Sequence, residues 1–114
     1  MNRVLLSEAG IDYNKGVERF MDNSAVYERL LKNFPKENKY EEAFSLYEKK
    51  DFDGMFRCLH TMKSTAGTLD LTSLFEVTCE LVEILRAKQY NEVPPYLETV
   101  TEYYHKAVAA IENP

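Results

Sequence analysis

Phe52-Asp53-Gly54-Met55-Phe56-Arg57-Cys58-Leu59-His60-Thr61-Met62-Lys63-Ser64-Thr65-Ala66-Gly67-Thr68-Leu69 decides how the chain folds. Its apolar residues Met55, Phe56, Leu59, Met62, Ala66 and Leu69 recur at steps of three and four, the repeat of a helix with one face turned to a core. The stripe is wide enough to be the central face of a bundle. Asp53 is expected to cap this helix, with Phe52 just before the cap as a staple-like contact. Asp70 and Leu71 are read as the turn that follows.

The same reading extends in both directions. Upstream, Asn23 or Ser24 caps a helix that places Val26, Tyr27, Leu30, Leu31 and Phe34 on one face until Pro35 ends it. A second periodic stretch, Glu37 to about Lys50, carries Tyr40, Ala43, Phe44 and Tyr47. Downstream, Ser73 and Glu76 have capping-box spacing, and Leu74, Val77, Leu81 and Leu85 form the next stripe. Pro94 and Pro95 fit the first turn of a last helix, which presents Leu97, Val100, Tyr104, Ala107 and Ile111. The first 22 residues read as a lead-in whose Ile11, Val17, Phe20 and Met21 seal one end of the core. The expected fold is all-α, an up-down antiparallel four-helix bundle with a short N-terminal lead-in helix.

Composition bounds the function. The chain has 114 residues, one domain's worth, and 45% of them are hydrophobic. A net charge of −5, from 19 acidic and 14 basic residues, argues against a nucleic-acid binder. No apolar run approaches the roughly 20 residues of a membrane span, and no signal-peptide pattern stands at Met1 to Gly10, so a cytoplasmic protein is expected. Cys58 and Cys79 lack the paired spacing of zinc or redox motifs and are read as buried thiols. No metal site is expected within the chain.

One strip of the central helix carries chemistry. At about 100° per residue, His60 lies at the border between core and solvent. Lys63, Ser64 and Gly67 follow it at three, four and seven residues and so share its strip. Neutral imidazole is a good nitrogen nucleophile near neutral pH, and an ammonium one turn away can meet phosphoryl oxygens. Ser64 and Gly67 keep the relief low, and Phe56 flanks the histidine as part of a partner access surface. His105, beside Tyr104 with no such strip, is read as structural.

The run His60-Thr61-Met62-Lys63-Ser64-Thr65-Ala66-Gly67-Thr68-Leu69 resembles the signature of histidine-containing phosphotransfer (Hpt) domains of multistep two-component phosphorelays. Gly10-Ile11-Asp12-Tyr13, Gly16 to Phe20, Tyr27, Leu30, Phe34, Leu74, Leu81 and Arg86 extend the resemblance along most of the chain. It implies a tail at residues 1–8 and the bundle domain at 9–112. It also implies that His60 is the phosphorylated nucleophile and that Lys63 supports the phosphoryl oxygens. The implied partners are response-regulator receiver domains, with a hybrid histidine kinase a further possible one, and the receiver supplies Mg²⁺. A monomeric phosphohistidine carrier without ATP-dependent kinase activity is expected; the alternative is a non-catalytic docking bundle. Three positions depart from the family pattern: Ser64 and Asp70 stand where glycine is usual, and Leu81-Val82 where Leu-Glu is common. Glu80 and Glu83 both lie near the level of His60 in a hairpin turning at Asp70, and spacing leaves open which one faces the strip.

Overall fold

The computed structural model describes residues 1–113. Its α-helices are α1 (Arg3–Glu8), α2 (Tyr13–Arg19), α3 (Ser24–Asn33), α4 (Lys39–Glu48), α5 (Phe52–Thr68), α6 (Thr72–Arg86) and α7 (Val93–Glu112), with no strand among the described residues. Short links between α4, α5, α6 and α7 force each helix to run antiparallel to the one before, and these neighbours make the main interfaces. All three corners are built alike. A residue in left-handed backbone follows each helix, Lys50 (φ 60°), Asp70 (φ 58°) or Lys88 (φ 58°). The next amide then reaches back to the last turn: Asp51 N donates to the Leu46 carbonyl at 2.8 Å, Leu71 N to Ala66 at 2.9 Å and Gln89 N to Ile84 at 3.1 Å. This closure satisfies carbonyls the helix end would otherwise leave bare. Asp70 thus keeps the turn expected of it.

The fourth wall of the bundle is a broken arm. Pro35 stops α3, a 3₁₀ turn covers Phe34–Glu37, and left-handed Asn38 (φ 57°) restarts the chain as α4. The two pieces line a molecule about 41 Å long. Aromatic contacts close them on α7: Phe34 lies 6.0 Å from Tyr104, and Tyr40 stacks on Tyr104 at 4.4 Å. The Tyr40 hydroxyl sits 2.8 Å from Thr101 Oγ1, and Tyr104 donates to Glu41 at 3.2 Å. Burial, then the neighbouring Glu41, pushes the Tyr104 phenol well above its usual range. Both phenols have polar partners, so aromatic area is buried without stranding a hydroxyl.

The core runs along the expected stripes. Leu59 and Ala66 are fully buried at the centre of α5, and Leu97, Val100, Tyr104, Ala107 and Ile111 are all buried on α7. Other expectations need correction. Residues 1–8 are no tail: α1 inserts Leu6, fully buried, against the core. Met21 does not seal the bundle but stands 91% exposed at a left-handed turn. Leu30 and Phe44 are exposed at the rims of their stripes, while Val82 and Thr78, missed by the pattern, are fully buried on α6. The cap of α5 is Asp51, whose carboxylate accepts from Gly54 N at 2.9 Å; Asp53 lies in the first turn, and Phe52 stacks on Tyr90 at 4.2 Å. Ser73 and Glu76 form no capping box, because α6 begins at Thr72 and the Ser73 amide donates to Gly10 O at 3.2 Å.

That last bond belongs to a clasp. The lead-in helices wrap the corner between α5 and α6. Gly10, in left-handed backbone (φ 80°), lies so close to Ser73 that a Cβ there would come within 1.9 Å of its Oγ. Asp12 N donates to Asp70 O at 2.9 Å, and the Tyr27 hydroxyl donates to Leu69 O at 2.7 Å. Arg19 holds the Asp70 carboxylate with Nε at 3.0 Å and Nη2 at 3.2 Å. The C-terminal end of α5 is therefore fixed by contacts from α2 with its cap Asp12 and from α3, which makes α5 a rigid mount for what it displays.

Candidate functional site

α5 turns its core stripe inward and leaves His60 exposed, as its border position requires. Among the described residues no side chain hydrogen-bonds the His60 imidazole; its neighbour is Phe56, whose ring centroid lies 5.9 Å away at 38°. One turn on, Lys63 is half-buried along its stem and forms no ion pair with a described residue. Such a stem packs on apolar surface while the ammonium stays free to move. His60 and Lys63 therefore remain together on one strip, with imidazole and cation both available.

Ser64 adds less relief than its hydroxyl suggests. Its Oγ donates back to the His60 carbonyl at 3.2 Å, and Thr61, Thr65 and Thr68 make the same bond to the carbonyls of Arg57, Thr61 and Ser64 at 3.1, 3.3 and 3.0 Å. The polar ends are folded onto the helix, so Ser64 presents little more than a methylene.

Gly67 serves the interior as well as the surface. A Cβ there would lie 2.9 Å from Phe75 Cε1, so the glycine lets the α6 ring cross α5. Gly67→Ala gains helix propensity of about 1 kcal/mol but forces the half-buried Phe75 ring to move, an overpacking cost of about 2 kcal/mol. A net loss of about 1 kcal/mol is expected in urea titration, recovered when Phe75 is shortened to leucine in the same chain.

The contact of Gly67 with Phe75 and that of Phe56 with Arg86 set the register of the α5–α6 hairpin. Between them, Val82 falls at the level of His60 and Cys79 at the level of Lys63. Cys79 is half-buried there, not fully buried as expected; Cys58 is buried. Burial, chiefly, raises the Cys58 thiol above its usual range. The question of the two glutamates is answered by the same line of contacts. Arg86 lies with its guanidinium 5.2 Å over the Phe56 ring, and its Nε donates to Glu83 at 3.2 Å. Glu83 therefore flanks the strip, whereas Glu80, six positions before Arg86, falls off that line. Arg86 was read only as part of a family pattern; its place beside Phe56 follows from mirroring α5 onto α6 about the corner. His105 is exposed and packs edge-on to Tyr40 at 5.5 Å, remote from the strip.

No group of three or more His, Cys, Asp or Glu side chains among the described residues is placed to hold a metal ion. No helix among them is long and apolar enough to cross a membrane. A family model described as Hpt domain matches residues 18–113. No curated protein and no solved structure matches the chain significantly.

Proposed function

Because the chain belongs to the Hpt domain family, whose members carry out histidine phosphotransfer in two-component phosphorelays, we propose that His60 accepts a phosphoryl group from one receiver-domain phosphoaspartate and passes it to the aspartate of another receiver. The observation that supports this is the exposed imidazole of His60, which no described side chain hydrogen-bonds, on the same strip as Lys63. A lone-pair nitrogen of the neutral ring attacks phosphorus as the P–O bond of the acyl phosphate breaks, and the electron pair returns to the aspartate carboxylate. The ring's other nitrogen then releases its proton to solvent. Onward transfer reverses these steps on a second carboxylate.

Lys63 stabilises the phosphoryl oxygens, and the low relief of Ser64 and Gly67 with the Phe56 ring gives the receiver its seat. Transfer of this kind depends on alignment and neutralisation of charge. In this reading Mg²⁺ and the carboxylates that hold it come from the receiver's side of the encounter. Hpt domains interact with receiver domains and histidine kinases, and a hybrid kinase is a further partner we propose here. The protein acts as a monomer in the cytoplasm, a compartment that suits its free thiols.

Mixing the protein with a phosphorylated cognate receiver tests the reading. The label is expected on the peptide containing His60, labile to acid and stable to alkali. A label found on His105, or one stable to acid as a serine or threonine ester would be, overturns it.

A further inference from the structure

We infer that the protein associates reversibly with a second copy of itself, α3 of one copy lying antiparallel on α6 of the next. Two exposed stripes carry opposite charge. Along α3 and the 3₁₀ turn that prolongs it, Ala25, Arg29, Lys32 and Lys36 share one outward line, and all four are exposed. Along α6 and its C-cap, Glu76, Glu80, Glu83 and Ala87 share another, exposed throughout. Among the described residues Arg29, Lys32 and Lys36 form no ion pair, nor do Glu76 and Glu80, and Glu83 holds only Arg86 of its own helix. The one carboxylate of α3, Glu28, accepts from the Tyr13 hydroxyl. Glu112 borders Lys32 and Lys36 without pairing to either.

The stripes also match in register. Steps of four, three and four residues lead from Ala25 to Lys36, and the same steps lead backward from Ala87 to Glu76. Laid antiparallel, the helices bring Arg29 to Glu83, Lys32 to Glu80 and Lys36 to Glu76, while Ala25 meets Ala87 and lets the backbones approach. Each stripe is about 17 Å long, so all four contacts fit one helix pair. Within a copy the main interfaces of α6 are with α5 and α7, so the complement must come from another molecule. Exposed ion pairs are individually weak, and one helix pair is smaller than the interface of a stable dimer, so the affinity is low. Glu83 flanks the strip of His60, and a docked α3 stands at its edge. The paired form therefore shields the strip and the monomer meets receivers, a consequence that rests on the function proposed above.

Sedimentation of the wild type at low salt, between about 10 µM and about 1 mM, should show an average mass that rises above the 13.3 kDa of the monomer and falls back as salt is added. Lys32→Glu and Glu80→Lys each set like charges opposite one another and should lower the association constant about tenfold. Both changes in one chain recreate the pair with its charges exchanged and should recover the association. The two sites are exposed on helices, so the fold is expected to be kept, which circular dichroism checks. A wild type that stays at the monomer mass overturns the inference and leaves the α3 cations to an acidic partner of another kind. Association that survives either reversal, or that the double variant does not recover, overturns it as well. No phosphoryl donor enters these measurements, so they stand apart from the proposed function. Labelling per molecule by a phosphorylated receiver should fall as the wild-type concentration rises and stay constant for Lys32→Glu. A common rate overturns the shielding, and absence of label on both chains falls on the proposed function.

Discussion

His60→Gln is expected to take up no acid-labile phosphate from a phosphorylated receiver while keeping the fold of the wild type. Glutamine fills a similar volume and is at home on an exposed helix face, so stability should change by no more than about 0.5 kcal/mol. What is lost is the nucleophile. An amide nitrogen has its lone pair delocalised into the carbonyl, whereas one imidazole nitrogen keeps its pair in the ring plane, free to attack phosphorus. Nothing near the strip can substitute. The Ser64 hydroxyl is turned back to the His60 carbonyl. Labelling with radioactive phosphoreceiver, run beside a urea titration, reads both halves of the expectation. Undiminished label in the variant would move the chemistry to another residue.

Arg19→Ala is expected to destabilise the fold by clearly more than the about 0–1 kcal/mol typical of an exposed ion pair. Asp70 is 5% exposed, and Arg19 supplies both hydrogen bonds to its carboxylate. The arginine itself is half exposed, so its removal costs little apolar burial. The cost arises at Asp70, whose carboxylate would stay at the corner without its cation. Asp70 also sits in left-handed backbone and cannot leave the corner without opening it. The loss should read out as a lowered melting temperature. A double-mutant cycle with Asp70→Asn, which tolerates the same backbone, should return most of the effect as coupling. A loss near 0.5 kcal/mol would place the pair with ordinary surface ion pairs, despite the burial of Asp70. Because the same corner anchors the end of α5, native-state exchange of the Thr65 to Leu69 amides should speed up together with the global loss.

Most of the helical plan was legible because helix and burial share one period. On α7 the i, i+3, i+4, i+7 stripe predicted Leu97, Val100, Tyr104, Ala107 and Ile111 in the core, and all are buried. The strip of His60, Lys63, Ser64 and Gly67 was legible for the same reason, since helical geometry fixes which residues of one helix are neighbours. The errors fall where the period gives no information. Asp51 and Asp53 are both competent caps, and only the link from α4 selects the first. The sequence of α1 is too short to declare a helix by itself, and it is held because Leu6 finds a place in the core. Cys79 was expected to be buried, yet it lies at the seam where α6 faces solvent.

Sequence alone determined the bundle, its stripes, and the company His60 keeps along its own helix, because those are properties of a single helical repeat. Tertiary structure alone decided what reaches the strip from elsewhere: Phe75 across Gly67, Arg86 over Phe56, Glu83 rather than Glu80, and Arg19 on Asp70. These contacts depend on the register and rotation of one helix against another. Those are set by packing and by the left-handed closure at Asp70, and no local repeat encodes them.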